Sequence, residues 1–219
     1  MSQSRAAPIL AFRCCESLIG AWRDTMGYTL GRSGRPSILA LVYSDGAAAC
    51  RTISELGYRL RDSGVPLAGI VAYHATRDGT PRCDMEIEEL SSRIILQLAD
   101  DQTPQASGCR VDPTAMQDAA ALISAAFQKC PELLIVNKFG QLEATGGGLA
   151  DAITEAVDLG IPVVVGVPER RLASWREFTN GLAEEAMIDS PRVQQWLARR
   201  GLGVQPRRLG VQQALTSAA

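Results

Sequence analysis

Four apolar runs recur along the middle of the chain: Ile38–Tyr43, Leu67–Tyr73, Leu133–Val136 and Ile161–Val167. They are nearly continuous rather than alternating, as expected of strands covered on both faces. Amphipathic stretches separate them. Ala47 to Ser63 places Ile53, Leu56 and Leu60 on one helical face, and Gly64 follows as a stop. Asp112-Pro113 opens a second helix with a capping acid and a proline at its first position, and that helix runs to Phe127. Leu149 to Leu159, stopped by Gly160, forms a third, and Arg171 to Phe178 a short fourth. Alternating strands and helices with short connections call for right-handed crossovers. The expected fold is therefore α/β, a three-layer and mostly parallel sheet flanked by helices.

The pattern breaks between His74 and Gly108. Met85, Ile87 and Leu90 alternate with acids, and Ile94-Ile95-Leu96 form a compact apolar cluster. This predicts a β-ribbon excursion after the second strand. Residues 1–35 read as an extension that ends in a Gly/Arg/Ser linker, with Phe12 to Trp22 as a short helix. That helix is either a docked appendage or a homodimer contact, and the first is favoured because one short helix seldom supplies an interface. The α/β domain is assigned to 36–185. The remainder, 186–219, holds a helix around Val193–Leu197 and a tail expected to be loosely ordered after Gly201.

Composition narrows the class. The chain has 219 residues, 46% hydrophobic, with 22 basic and 24 acidic residues for a formal charge of −2. No global field recruits nucleic acid or an anionic membrane. No apolar run approaches the roughly 20 residues that span a bilayer, and no secretory signal is evident, which predicts a cytoplasmic protein. The six cysteines (14, 15, 50, 83, 109 and 130) form no C-x-x-C pair, which argues against a zinc ribbon or thioredoxin motif. Basic residues are nearly all arginine; the only lysines are Lys129 and Lys138, and the only histidine is His74.

In a parallel sheet the ligand crevice lies beyond the strand carboxyl ends. Three polar loops are expected there: Ser44-Asp45-Gly46, Asn137-Lys138-Phe139-Gly140 and Pro168-Glu169-Arg170. Asp45-Gly46-Ala47-Ala48-Ala49-Cys50-Arg51-Thr52 imitates a phosphate-binding loop only in its final Arg-Thr, because both required glycines are replaced. Asp45 would set a carboxylate beside any phosphate, so a plain helix cap is the favoured reading. Lys138 is a compact ammonium in an arginine-rich chain, suited to an anion or to Glu143. Asn137 supplies an amide, and Gly146-Gly147-Gly148 before a helix either exposes amides to an anion or forms a flexible joint. Cys83 and Cys109, with His74 and Asp84 nearby, are candidate metal or oxyanion ligands; a small buried hydrophobe is the commoner role of a cysteine. Arg110 is a candidate anion contact. Trp175 and Phe178, three apart, suit the core or a lid over the crevice.

These residues resemble a bacterial family of unknown function often encoded beside molybdate-transport genes. The likeness rests on Val42-Tyr43-Ser44-Asp45-Gly46, Cys83-Asp84-Met85-Glu86-Ile87, Gly108-Cys109-Arg110-Val111-Asp112, Asn137 to Gly148 and Gly160-Ile161-Pro162-Val163. The layout is also similar to small P-loop nucleoside-triphosphatases, in which a strand ending in acids directs Mg²⁺. Here Asn137 and Lys138 fill that slot, and neither replaces a carboxylate toward Mg²⁺. The resemblance implies a non-hydrolysing domain that binds a nucleotide or an oxyanion such as molybdate, without Mg²⁺ held in the usual way. Ser44, Asp45, Gly46, Arg51, Thr52, Arg110, Asn137, Lys138 and Gly147 would contact that small anionic ligand, with Glu143 orienting Lys138. Two alternatives stand beside it. One is a diverged hydrolase or phosphotransferase using Arg51, Thr52, Lys138 and Glu143; the other is a carrier built on Cys83 and Cys109.

Overall fold

The computed structural model describes residues 37–73, 86–98 and 112–203. The Phe12–Trp22 helix, the linker, His74, Cys83, Asp84, Cys109, Arg110 and the tail beyond 203 lie outside them. Seven strands form one sheet: β1 (Ile38–Tyr43), β2 (Leu67–Ala72), β3 (Glu86–Glu89), β4 (Ile95–Gln97), β5 (Leu133–Val136), β6 (Val163–Pro168) and β7 (Glu184–Met187). Their spatial order is β4-β3-β2-β5-β6-β1-β7. Strands β2, β5, β6, β1 and β7 run parallel, while β3 and β4 add an antiparallel ribbon on the β2 edge. The expected mostly parallel sheet and its ribbon are both present.

Helices α1 (Gly46–Asp62), α2 (Pro113–Phe127), α3 (Gln141–Ala144), α4 (Ala150–Asp158), α5 (Leu172–Phe178) and α6 (Pro191–Ala198) cover the two faces. Alternate residues of β1 divide between them. Ala40 and Val42 join Met116, Ile123, Ile153 and Trp175 of α2, α4 and α5. Leu39 and Leu41 join Ile53, Leu56, Leu60 and Trp196 of α1 and α6. A continuous apolar strand is required because both of its faces are core.

The sheet continues past residue 185, where the domain was expected to end. β7 pairs with β1 from Leu39↔Glu184 to Val42↔Met187, and α6 buries Val193, Trp196 and Leu197 against it. Leu202, placed by sequence in a loose tail, is 2% exposed within the same core.

This order fixes where the crevice lies. From β1 the chain crosses by α1 to β2, three strands away on one side. From β6 it crosses by α5 to β7, on the other side of β1. The loops after β1 and β6 thus diverge over the seam between these paired strands, which is the topological switch point. The loop after β5 borders the same end.

Candidate functional site

The loop after β1 is built as a helix cap. Asp45 has extended backbone (φ −92°, ψ 107°), and its Oδ1 accepts the Ala47 and Ala48 N–H groups at 2.9 and 3.1 Å. The first amides of a helix are donors without internal partners and carry its positive dipole end, which is what draws a phosphate to such a turn. Here the chain's own carboxylate takes that place. The other two residues of the imitated motif point to structural roles. Arg51 is exposed on α1, and the Thr52 hydroxyl donates back to the Ala48 carbonyl at 3.0 Å.

Cys50, just before them on α1, is buried and meets the end of β5. The Asn137 amide donates from Nδ2 to Cys50 Sγ at 3.4 Å, and Asn137 is only 8% exposed. Its Oδ1 is buried and has no hydrogen-bond partner among the described residues. The backbone around it is tied to both neighbouring strands: Asn137 N–H donates to the Ile70 carbonyl (3.1 Å) and Phe139 N–H to the Gly166 carbonyl (2.7 Å). Gly166 is required for this approach, because a Cβ there would lie 2.2 Å from the Asn137 carbonyl oxygen.

Phe139 anchors the loop. It is fully buried, with its ring centroid 5.0 Å from Trp175 in an edge-on contact and 5.5 Å from Phe178. Trp175 is itself fully buried and belongs to the core, and Phe178 is half-buried against it. With Asn137 and Phe139 both held inward, Lys138 is left half-buried between them at the carboxyl end of the sheet.

Glu143 acts within its own loop. It is 4% exposed; Oε2 accepts the Gly140 N–H at 2.8 Å and Oε1 the Leu149 N–H at 3.1 Å. One carboxylate therefore closes the turn that leads into α3 and the turn that leads into α4. Gly148 fits around it with φ +58°, and a Cβ there would fall 2.1 Å from Glu143 Oε1. The glycine triplet does not present a row of amides to a ligand. The Gly147 N–H donates to the Leu142 carbonyl at 2.9 Å, and α4 begins only at Ala150.

The structure thus brings Asp45, Cys50 and Asn137 to one end of the sheet, with Lys138 beside them. Ser44, Asp45 and Gly46 are exposed there. Cys50 and Phe139 were missed as contributors. Phe139 had a signal, a large apolar residue inside an otherwise polar loop. Among the described residues no group of three or more His, Cys, Asp or Glu is placed to hold a metal ion, and no helix is long and apolar enough to cross a membrane.

Residues 38–196 match the family model described as protein of unknown function DUF2478, and the chain belongs to that family. The chain is also similar to the molybdenum import ATP-binding protein ModC 2 of Bradyrhizobium diazoefficiens, at 24% identity over 159 residues. That match covers 73% of this chain but only 18% of the relative's length. Among solved structures, the crystal structure of THEP1 from the hyperthermophile Aquifex aeolicus superposes with a TM-score of 0.51 at 13% identity, over 74% of this chain and 95% of that one. This likeness shows the fold alone, a mostly parallel α/β sheet flanked by helices.

Proposed function

We propose that this chain is a non-hydrolysing P-loop-like domain that binds a small anion at the carboxyl-end crevice and serves molybdenum handling. One observation carries the reading: Asp45 Oδ1 occupies the α1 amides at 2.9 and 3.1 Å, where a P-loop relative would hold phosphate. A triphosphate would have to displace that carboxylate and then lie beside it, a like-charge contact. The residues that would otherwise drive hydrolysis are committed elsewhere, Thr52 to a carbonyl and both Glu143 oxygens to backbone amides.

A compact oxyanion suits Lys138 and Asn137 better than a nucleotide does. Lys138 supplies an ammonium and Asn137 an amide, and neither requires the helix terminus. The molybdenum assignment is supported by the likeness to ModC 2, and extends it to a chain that matches only part of that protein.

The test is a thermal-shift panel of molybdate, tungstate, sulfate, ATP and GTP, because a ligand that binds only the folded state raises Tm by mass action. Molybdate and tungstate should raise Tm in the wild type and not in Lys138→Ala, with no phosphate released from ATP or GTP above blank. Phosphate release that is lost in Lys138→Ala would establish the hydrolase reading instead. No shift with any ligand would end the binding reading.

A further inference from the structure

A second cationic feature lies at the opposite, amino end of the sheet. A pocket of about 210 Å³ opens between three turns: α1–β2 (Arg61, Val65, Pro66, Leu67), β3–β4 (Leu90, Ser91, Arg93) and α2–β5 (Lys129, Pro131). Its floor is apolar, and its polar lining consists of Arg61, Arg93, Lys129 and Ser91. Lys129 is one of only two lysines in the chain, and its ammonium donates to Ser91 Oγ at 3.2 Å.

The charges do not cancel. Arg61 pairs with the buried Glu88 at 2.5 Å, which leaves Arg93 and Lys129 to set the sign. Neither of these is ion-paired with an acid among the described residues, and both are exposed. Arg61 Nε is buried without a hydrogen-bond partner; Asp62 Oδ1, 3.9 Å from it, is beyond hydrogen-bond reach. The pocket also sits at the carboxyl ends of α1 and α2, where helix dipoles would favour cations for structural reasons alone. The final carbonyls there are already taken, however: Leu60 by the Ser63 and Val65 amides, Arg61 by Gly64, and Ala126 and Phe127 by Lys129 and Cys130. The cationic side chains are not needed to cap them.

The turns are also built to hold shape. Glu89, 1% exposed, accepts the Ser92 N–H at 2.6 Å and the Gly69 N–H at 3.3 Å, which fixes the β3–β4 turn under Ser91 and Arg93. Arg93 (φ +62°) lines the pocket, and Cys130 (φ +52°) lies in the chain between the lining residues Lys129 and Pro131. They are two of the three non-glycine residues with positive φ among the described residues. Such backbone persists where the surroundings over-determine it, and it clusters at ligand clamps.

We propose that this pocket binds the phosphate group of a small molecule, held by Lys129, Arg93 and Ser91 over the apolar floor of Val65, Leu67 and Leu90. Its volume is below the range of drug-sized sites, which suits a short phosphomonoester or the free ion. The site is separate from the crevice at Lys138.

The experiment is a thermal-shift titration of the full chain with inorganic phosphate and with glycerol 3-phosphate, against sodium chloride at matched ionic strength. At about ten times the dissociation constant, Tm should rise by about 3–5 °C. The rise should persist in Lys138→Ala and vanish in Lys129→Gln/Arg93→Gln, whose side chains are exposed. A larger shift from glycerol 3-phosphate identifies the organic ligand, and a larger one from phosphate the free ion. No shift in the wild type, an equal shift with chloride, or an undiminished shift in the double variant overturns the proposal. Loss in Lys138→Ala with retention in the double variant would move the anion to the crevice.

Discussion

Replacing Glu143 with alanine decides whether this acid serves the loop or the ligand. Its two oxygens accept backbone N–H groups from Gly140 and Leu149 at 2.8 and 3.1 Å in a side chain 4% exposed. A hydrogen bond to a charged group contributes about 1.5–3 kcal/mol, and a buried donor left unpaired costs its desolvation as well. The Leu149 amide is buried, whereas the Gly140 amide is partly exposed and regains water, and burying the carboxylate carries its own cost. The net expectation for Glu143→Ala is a loss of about 3 kcal/mol. For a chain of this size that lowers Tm by roughly 6–12 °C. Urea unfolding measures it directly, as a lower midpoint at unchanged slope. Glu143→Gln should fall between the two, because glutamine keeps one acceptor but turns an NH₂ toward the second amide. A loss under about 1 kcal/mol for the alanine variant would refute the reasoning and return Glu143 to the role of charge partner for Lys138.

Asp45→Ala should cost about 1 kcal/mol as a lost helix cap, while Asp45→Asn, an equally good cap, should stay within a few tenths; equal urea midpoints for the alanine variant and wild type would contradict the cap. Gly166→Ala drives a Cβ to 2.2 Å from the Asn137 carbonyl oxygen and 2.6 Å from Ile53 Cδ1, so a destabilisation of about 2–3 kcal/mol is expected by chemical denaturation. Burial, and then the hydrogen bond its hydroxyl donates to Glu88 at 3.0 Å, hold Tyr58 well above its ordinary value of 10.0. The fold therefore favours the neutral phenol. Its contribution is complete below about pH 10 and is lost as pH rises from there toward the folded value, because the unfolded chain ionises first. The stability difference between wild type and Tyr58→Phe should be level at neutral pH and shrink above about pH 10; a difference that stays flat through that range would refute it.

The sheet's centre was legible because its strands have no choice of face. Ile38–Tyr43 and Leu133–Val136 are core on both sides, and an unbroken apolar run of strand length marks a strand covered on both faces. β7 was not legible, and its residues say why. Glu184-Glu185-Ala186-Met187 shows neither alternation nor an apolar run. It is an edge strand, and such strands commonly carry charge against further pairing. Its acids are met by arginines from other elements, Glu185 by Arg176 of α5 and Glu184 by Arg199 just beyond α6. That pairing is tertiary, so no local pattern reports it. The same limit applies at the crevice. Asp45 as a cap was readable from one strand–turn–helix unit, because its partners are two and three residues away. The contact of Asn137 with Cys50 joins positions 87 apart in the chain, and only the β1–α1 and β5 connections bring them together.

The two ends of the sheet pose opposite electrostatic problems. At the carboxyl end the α1 dipole invites an anion, and the chain answers with Asp45; this satisfies the amides and removes the multi-donor cradle that a polyphosphate needs. The proposed crevice site then offers the Lys138 ammonium and the Asn137 amide. A single-centre oxyanion with its charge spread over four equivalent oxygens can be held by so few groups, whereas a triphosphate brings several charges that lysine alone cannot balance. At the amino end the helix carbonyls are closed by backbone amides, so Arg93 and Lys129 are not consumed in capping. The helix polarity that usually sets where an α/β protein binds anions has thus been offset at both ends by local bonding. On the two binding proposals above, side-chain charge, and not the helix termini, would determine where an anion is held.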